Sequence, residues 1–463
     1  MVRGIDEMDR QCGWCGNREA SHRCGWCRTA SYCGRCCQAS HWTEHRLQCS
    51  FPSSIAVDVA ADHEGSVRPT ASGNALGLSV LATIDGQNQS GGIDRAHNVL
   101  VSPLSISVAL AMIAEAAVGA TRRELDRWVD VSASGIDADL FPPGAGGMAN
   151  SAWLLHQPAK EYEAVLRTKY RADVFSHISV AEVNAWISKN TSGMIRQMID
   201  STDGATALLI NAVWFSCLWM EPFVSQRTKE NDVFYGPRGE RPCATMCRTS
   251  RQRYAALPDG SAVGAFLPLS KTGGGSKNAG GGDESAVRER SRLEVFVAVD
   301  PRSRSAQPPS PATISSLLEN ERDGLVDLRL PRTKLELPPT KLLPILETLG
   351  ITQLTTPHGE FPGFGDADDV VGNILHAAKL EFDERGAKGA AATIVTTKLM
   401  AMPGKRTEPE RIEVVCDHPF FVGVLDTVTN ALIMAGYVYE PEPTLSGTPV
   451  GTVDRSVFRS SIL

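Results

Sequence analysis

The chain has 463 residues, of which 42% are hydrophobic and 21% charged, and its formal net charge is −7 at pH 7. This length exceeds one core of typical size, so one large and one small domain are expected. No apolar run approaches the ~20 residues of a membrane span, and the acidic balance provides no overall basic field, so we expect neither membrane nor nucleic acid as a partner. The first residues, MVRGIDEMDRQC, lack the apolar segment of a secretory signal, which predicts a protein that is not secreted.

Cysteine and histidine side chains occur in four closely spaced pairs near the start of the chain. Zinc binds four thiolate or imidazole groups in a tetrahedron, and neighbouring ligands come from tight turns, so such pairs indicate a metal site. The candidate ligands are Cys12, Cys15, Cys24, Cys27, Cys33, Cys37, His45 and Cys49. Eight ligands predict two structural zinc ions. A disulfide framework is the alternative, but the four pairs fit a metal better and no secretory segment accompanies them.

The remaining cysteines are spread along the chain, and we expect them to be free thiols. They are Cys36, Cys217, Cys243, Cys247 and Cys416. Cys243 and Cys247 stand four residues apart but lack the second pair that a metal site would need. Many thiols without a secretory segment predict a reducing compartment, either the cytoplasm or the nucleus.

Residues 10–50 resemble a MYND-type zinc finger, on the pattern YC-x3-CQ-x2-HW-x2-H-x3-C that begins at Tyr32. The resemblance implies that the ligand pairs interleave, so that the first and third pairs hold one ion and the second and fourth pairs hold the other. It leaves Cys36 as a spare thiol and His41 as a packing imidazole. It also implies a protein-binding module whose partner is a proline-rich peptide.

A linker at 51–71, with Pro, Ser and Gly but no sustained period, leads into a large domain at 72–440. Helical patterns dominate its beginning and strand patterns its end, which predicts the α+β class. The nearly all-apolar run from Val108 to Ala117 predicts a buried helix, and Thr121 with Glu124 predicts a capping box for the next helix. A Gly- and Ser-rich insertion at about 270–291 is expected to be flexible, and a polar tail at 441–463 closes the chain.

Widely separated segments of the large domain resemble the serpin family. They are NVLVSPLSISVALAMIAEAAVGAT, VNAWISKNTSGMI, LINAVWF with the later WMEPF, LEFDERGAKGAAAT and DHPFFVGVLDTVTNALIMAGYV. The resemblance implies a serpin fold of three β-sheets with surrounding helices and an exposed reactive loop at about 384–410. In this family a protease attacks the loop, and insertion of the loop into a sheet traps the acyl-enzyme.

The first part of that loop has the composition that an inserting strand requires. Its hinge residues are Glu384, Gly386, Ala387, Gly389, Ala390, Ala391 and Ala392. Small uncharged side chains can slip between two strands without steric cost, and the Thr, Ile and Val residues at 393–397 favour the extended state after insertion. An Ala-rich surface helix is the alternative when the segment is taken alone.

Family spacing places the reactive bond about fourteen residues after Gly386, between Met400 and Ala401. Methionine suits an apolar primary pocket, so the expected partner is a chymotrypsin-, elastase- or cathepsin-like protease. Lys405 and Arg406 follow closely, which keeps a trypsin-like target open.

Further positions match the family one at a time. Ser102, Ser105, Asn211 and His376 correspond to a buried polar cluster called the shutter, where the central sheet parts. Trp219 and Glu384 correspond to the breach, the end of the sheet where insertion begins. Two departures count against efficient insertion: Lys388 replaces a commonly acidic residue, and Lys379 stands where an apolar residue is usual.

The sequence thus predicts an intracellular, monomeric suicide inhibitor of a serine or cysteine protease, with a zinc finger that mediates protein–protein interaction. The alternative is a non-inhibitory serpin scaffold that acts through its MYND finger. An enzyme is not predicted, because no nucleophile, base and orienting group come together in a motif.

Overall fold

The structure is a computed structural model of the chain. It describes residues 15, 22–23, 31–32, 71–89, 97–131, 140–141, 146–191, 193, 195–202, 205–215, 218–270, 291–302, 304, 307–354, 360–366, 369–387 and 411–442. The chain divides into two units, Met1–Ser66 and Val67–Leu463. Within the described residues, no helix has the length and apolar character needed to cross a membrane.

In the first unit, strand β1 (His22–Arg23) pairs antiparallel with β2 (Ser31–Tyr32). Among the predicted zinc ligands Cys15 is described, and it is exposed. The other predicted ligands and the two leftover side chains lie outside the described residues: Cys12, Cys24, Cys27, Cys33, Cys37, His45 and Cys49, with Cys36 and His41.

Two helices, α1 (Ala71–Gln89) and α2 (Pro103–Ala116), open the described part of the second unit. Ser102 caps α2, since its hydroxyl accepts a hydrogen bond from the Ser105 amide, and Pro103 sets the backbone of the first turn. The helix is buried on most sides, as its apolar run predicts. The other helices are α3 (Gly119–Leu125), α4 (Lys160–Lys169), α5 (Val180–Asn190), α6 (Pro311–Leu318) and α7 (Leu343–Thr348).

The capping box predicted for α3 is wrong. The helix begins at Gly119, so Thr121 lies inside the first turn and does not cap it. The carboxylate of Glu360 accepts hydrogen bonds from the first amides of the helix instead. Glu124 faces away from its own N-terminus and accepts from two backbone amides of the segment after α7. A carboxylate distant in sequence, that of Glu360, therefore caps this helix in place of the local motif.

The central sheet has the strand order β13-β14-β6-β4-β5. Its strands are β4 (Gly146–Leu154), β5 (Asp173–Phe175), β6 (Ala207–Phe215), β13 (Thr333–Lys341) and β14 (Val371–Asp383). Two short strands, β7 (Leu218–Trp219) and β15 (Gly386–Ala387), extend one end of this sheet, which we call its upper end.

A second sheet runs in the order β3-β18-β17-β11-β10-β9, and a third in the order β8-β9-β12-β16. Their strands are β3 (Val99–Val101), β8 (Lys229–Gly236), β9 (Gly239–Ala256), β10 (Val263–Ser270), β11 (Leu293–Val299), β12 (Glu321–Pro331), β16 (Arg411–Val415), β17 (Phe420–Asp426) and β18 (Ala431–Val438). The long strand β9 belongs to both sheets, because its two ends pair with different neighbours.

Buried apolar side chains form two clusters on opposite faces of the central sheet. The larger cluster includes Ile374, Ala378 and Leu380 of β14 together with most of α2. The smaller one lies between α5 and the sheet and includes Leu375 and Ala377. Alternate residues of β14 therefore enter different cores, as the period of two of a β-strand requires.

The arrangement confirms the predicted α+β serpin fold of three sheets with surrounding helices. The strand-like segment LVDLRLPRTKLEL divides at Arg332, with β12 before it and β13 after it. Among the described cysteines of this unit, Cys243 and Cys416 are buried free thiols and Cys247 is a partly buried one. Cys217 lies outside the described residues.

Candidate functional site

Strands β6 and β14 are hydrogen-bonded directly to each other, in parallel. Their register runs from Val371 opposite Ala207 at the lower end to Lys379 opposite Trp214. Because β6 and β14 are bonded directly to each other, a further strand can enter between them only if these hydrogen bonds break and the two strands separate along this line. The contacts that hold β6 to β14 therefore decide how readily the central sheet opens.

Above the last pair with β6, the chain turns back on itself and begins a new strand. β15 pairs antiparallel with β14, with Ala387 opposite Phe382 and Gly386 opposite Asp383, and Gly386 also pairs with Leu218 of β7. Gly386 has a φ of 142°, in a region that favours glycine. The first hinge residues thus already lie between β14 and β7 as a strand of the sheet.

A buried polar network joins helix α2 to the middle of the β6–β14 line. The His376 Nε2 atom accepts from the Ser102 amide at 3.0 Å, so the imidazole proton is on Nδ1, 3.2 Å from the Ser105 hydroxyl. The Ser105 hydroxyl donates to the Oδ1 atom of Asn211, and the Ser102 hydroxyl donates to a carbonyl of β18. Burial lowers the pKa of His376 to about 4. The structure therefore brings the four predicted shutter residues together around a neutral imidazole.

Asn150 of β4 belongs to the same network, although the sequence did not single it out. Its side-chain oxygen accepts from Asn211 at 2.5 Å, and its amide donates to the Tyr170 carbonyl at 2.8 Å. Asn150 is 2% exposed, and a buried amide without partners would be costly. The available signal was a polar residue directly before the apolar run SAWLL, which is an unusual place for an asparagine in a buried strand.

At the upper end of the sheet, Trp219 holds the turn that leads into the hinge. Its indole Nε1 donates to the Asp383 carbonyl at 2.7 Å, and its amide donates to the Arg385 carbonyl at 2.9 Å. The Phe223 amide donates to the Glu384 carbonyl at 2.9 Å. These bonds fix the backbone on both sides of Glu384, so the two predicted breach residues, Trp219 and Glu384, are neighbours in the structure.

The carboxylate of Glu384 is bound by two side chains that the sequence did not identify. Arg332 Nε lies 3.0 and 3.1 Å from its two oxygens, and the Thr228 hydroxyl donates to it at 2.8 Å. Arg332 also donates to Glu230 of β8 at 3.0 and 3.1 Å. Burial alone would raise the pKa of Glu384, but the hydrogen bonds from Arg332 and Thr228 outweigh it and lower that pKa. One guanidinium therefore joins the hinge to the third sheet.

A polar cleft of about 390 Å³ opens beside this ion pair. Its lining residues are Ser225, Arg332, Thr333, Glu381, Phe382, Asp383, Glu384, Arg385 and Glu442. Both ends of the hinge turn, Asp383 and Arg385, line this cleft, so the turn borders open space on this side.

Lys379 does not disturb the interior of the sheet. Its side chain is 31% exposed and its ammonium lies 3.3 Å from Glu381 and 4.0 Å from Glu336. Glu381 also pairs with Lys334 of β13 at 3.4 Å. On the exposed face near the upper end of the sheet, lysine and glutamate side chains therefore alternate between β13 and β14. Lys379, which stands where an apolar residue is usual, belongs to this set of charges.

The rest of the predicted reactive loop lies outside the described residues. This covers the reactive bond Met400–Ala401, the hinge residues Gly389, Ala390, Ala391 and Ala392, the side chain of Ala387, and Lys388, Lys405 and Arg406.

Three features together are those of a serpin: the directly paired strands β6 and β14, the buried polar network at the middle of this pair, and the strand β15 that turns back at its upper end. Comparison with known families leads to the same class. The family described as Serpin (serine protease inhibitor) matches residues 73–273 and 305–441, and the MYND finger family matches residues 12–49. Because the first match covers more than half of the chain, this chain belongs to the serpin family. Members of that family are generally protease inhibitors and not enzymes, and a MYND finger implies zinc binding.

Curated relatives and solved structures resemble the large domain over most of their own length. Serpin-Z2B of Oryza sativa subsp. japonica is 28% identical over 409 residues, which cover 79% of this chain and 96% of the relative. Serpin-ZX of Arabidopsis thaliana is 26% identical, with 75% and 93% covered. The structure of the thermophilic serpin tengpin in the native state superimposes with a TM-score of 0.64 at 22% identity, over 82% of this chain and 97% of tengpin. At that identity the structural likeness shows the fold alone.

Proposed function

We propose that this chain is a suicide inhibitor of a serine or cysteine protease, which acts by inserting its cleaved loop between β6 and β14. The observation that carries the proposal is the pairing of β15 with β14. The hinge has already entered the sheet in the antiparallel sense, at the upper end of the line along which β6 and β14 must part.

Continuing that register predicts the partner of every loop residue. Each step forward along the loop moves one step back along β14, so Ala391 comes opposite Ala378 and Thr393 opposite His376. Directly opposite residues of antiparallel strands point to the same face. Ala391 would therefore enter the larger core, where Ala378 is 1% exposed. In this register Ala387, Gly389 and Ala391 would face the larger core, where small side chains are needed.

The same register gives Lys388 a partner. It comes opposite Glu381, whose side chain points to the exposed face and already contacts Lys379 and Lys334. On this face Glu336, Glu381 and Asp383 stand against Lys334 and Lys379, so an inserted Lys388 would balance the charges. Cross-strand pairs of opposite charge favour association by about 0.2–1 kcal/mol. Lys388 therefore does not block insertion.

The target follows from the expected reactive bond, Met400–Ala401. A methionine side chain fits an apolar primary pocket, which points to a chymotrypsin-, elastase- or cathepsin-like protease. In the register of β15 Met400 would come opposite Asp369, just beyond the end of β14, whereas Arg406 would come opposite Gly363, well beyond it, so cleavage after Arg406 by a trypsin-like protease would leave a strand too long for the sheet. We therefore place the reactive bond at Met400.

For the first unit we propose two structural zinc ions with interleaved ligand pairs. In the β1–β2 hairpin, Arg23 pairs with Ser31 and His22 with Tyr32. In the sequence, Cys24 and Cys27 follow the first strand and Cys33 follows the second. Four thiolates or imidazoles per ion suit closed tetrahedral zinc sites. The finger would bind a proline-rich peptide, and the monomeric protein would act in the cytoplasm or nucleus, where these thiols stay reduced.

The proposal is tested by incubating the protein with a small protease panel and analysing the products under denaturing conditions. We expect a covalent complex with an apolar-pocket protease, and a released C-terminal peptide whose mass shows that it begins at Ala401. Loop cleavage without a complex, and with no rise in melting temperature, would favour the second candidate, a non-inhibitory scaffold that acts through the finger. A complex mapped to Arg406 would refute the reactive bond and the protease class.

The role of Lys388 is tested by a double-mutant cycle with Glu381. Lys388→Ala and Glu381→Gln should each lower the melting temperature of the cleaved protein, and the double variant should lose less than the sum of the two. Because Glu381 also contacts Lys379 and Lys334, the coupling between the two substitutions, and not the loss in Glu381→Gln alone, reports the contact with Lys388. Additive effects in the cycle would show that Lys388 does not meet Glu381.

A further inference from the structure

An ion pair spans the lower end of the central sheet, at the opposite end from the hinge. The Nδ1 atom of His156, just after β4, lies 2.9 Å from the Oδ1 atom of Asp369, just before β14. Strand β6 stands between β4 and β14 in the sheet order, so the pair links strands on the two sides of β6. The Asp369 side chain is 1% exposed and the His156 side chain 45%.

Two further contacts hold β6 to β14 at the same place. The Thr206 hydroxyl donates to the Val370 carbonyl and accepts from the Val370 amide, at 3.1 Å each. At Gly372, a Cβ atom would lie 2.3 Å from the Cβ of Ala205, so the close approach of the two segments requires glycine. Polar contacts therefore hold the two segments together at the lower end of the sheet, and Gly372 allows their close approach because it has no side chain.

These contacts lie where an inserting strand would finish. The register of β15 on β14, continued downwards, brings Met400 opposite Asp369. A strand inserted to its full length must therefore separate Thr206 from Val370 and Asp369 from His156. The free energy of these contacts opposes the last step of insertion and any spontaneous opening of the sheet from below.

We propose that the His156–Asp369 pair is a protonation-dependent clamp that sets how readily the lower end of the central sheet opens. The consequence for inhibition rests on the proposed function, but the clamp itself acts on the uncleaved protein. A clamp closed at acid pH and loosened at alkaline pH would make loop insertion faster above neutrality.

The charges around the imidazole support this direction. The described acidic groups that act on His156 are Asp369 and Asp366, both from the segment before β14. Leu155 and Gln157 beside it, and Thr206 directly before β6, are uncharged. The hydrogen bond to Asp369 is the main cause that raises the pKa of His156, and the charges of both aspartates add to it. A raised pKa means that the protonated, paired form is favoured in the folded protein, and that its contribution is lost as the pH rises through that pKa.

The test is hydrogen exchange of backbone amides in the segments 205–209 and 370–374, expressed as protection factors at about pH 5.5 and about pH 8.5, on either side of the ordinary histidine range. In the wild type we expect protection to fall roughly two- to fivefold between the two values, the range of a part-exposed ion pair. In His156→Gln protection should be low and the same at both values, and Asp369→Asn should behave alike.

The matched control is His177→Gln, because His177 also pairs with a carboxylate, that of Glu182, but both belong to the α5 side of the sheet. It should keep the wild-type pH dependence. If His156→Gln retains the wild-type change in protection, the clamp is refuted. If the clamp is found but loop cleavage produces no gain in melting temperature, the proposed inhibitor function fails and the clamp stands.

Discussion

Replacing Arg332 by alanine should destabilise the native protein, because it removes the cation between the hinge and the third sheet. The Arg332 guanidinium donates to Glu384 through Nε and Nη2, and to Glu230 through both Nη atoms. The Glu384 side chain is 10% exposed and that of Arg332 30%. Glu384 would keep the Thr228 hydroxyl as a donor but would lose the cation beside a carboxylate that is largely removed from water.

The loss in the free energy of unfolding caused by Arg332→Ala should lie between the values for a buried and an exposed ion pair. Breaking a fully buried pair costs about 3–5 kcal/mol, and an exposed pair is worth about 0–1 kcal/mol. With Glu384 nearly buried, Arg332 part-exposed and Thr228 retained, we expect the free energy of unfolding to fall by about 2 kcal/mol. Arg332→Lys, which keeps the charge but not the planar fork, should lose less.

The assay is urea unfolding near neutral pH, followed by tryptophan fluorescence, since Trp219 bonds to the backbone on both sides of Glu384. Arg385→Ala is the matched control, because Arg385 is adjacent and exposed. The pKa of Glu384 is lowered in the native state, so the contribution of the pair is present at neutral pH and is lost as the pH falls through that pKa. The difference between wild type and Arg332→Ala should therefore shrink in acid. If Arg332→Ala unfolds at the same urea concentration as Arg385→Ala, the pair has no structural role and the argument fails.

Three further outcomes are expected. Ala391→Glu should abolish the rise in melting temperature that follows loop cleavage, because its carboxylate would enter the larger core without a partner. Ala390→Glu, on the exposed face, should keep that rise. Equal behaviour of the two variants would show that the register is wrong. Cys24→Ser should reduce the bound zinc, measured by metal analysis against two ions in the wild type, and leave the calorimetric transition of the large unit unchanged. The pKa of His376 is about 4 in the native state and about 6.5 in the unfolded state, so the free energy of unfolding should decrease by up to about 3 kcal/mol as the pH falls from 6.5 to 4. His376→Gln should reduce this dependence on pH. If His376→Gln shows the same dependence as His177→Gln, the buried neutral histidine is not its cause.

The fold and the shutter could be predicted because their residues sit in segments with a strong local pattern. Ser102 stands directly before an apolar helix, and Asn211 and His376 are each flanked on both sides by apolar residues of their strands. Polar residues in such runs must be hydrogen-bonded when buried, so each one indicates a partner even though the partner is distant in sequence. Asn150 obeys the same rule, but it stands at the edge of its apolar run, where solvent is the simpler explanation.

The partners of Glu384 could not be predicted in the same way. Arg332 lies between two strand patterns, and Glu230 lies in an exposed part of β8. Charged residues in such places are usually solvated, and no local spacing distinguishes them. Only the packing of the third sheet above the central sheet brings Arg332 to the hinge. The failed capping box of α3 has the same cause, since Glu360 reaches the helix through the tertiary fold.

The two lysines that counted against insertion show why a residue must be judged with its cross-strand neighbours. Taken singly, Lys379 interrupts an apolar strand and Lys388 replaces an acid in the hinge. In the structure Lys379 contacts Glu381. Under the proposed insertion, continuing the register of β15 would bring Lys388 to that same glutamate. A strand has two faces, and at this height only one of them is buried. Charges on the open face cost little when they alternate between strands, whereas the same charges one position away would be buried in the core. In the proposed insertion the choice between an inhibitor and an inert scaffold depends on the face that Lys388 would take, and continuing the register of β15 would put it on the open one.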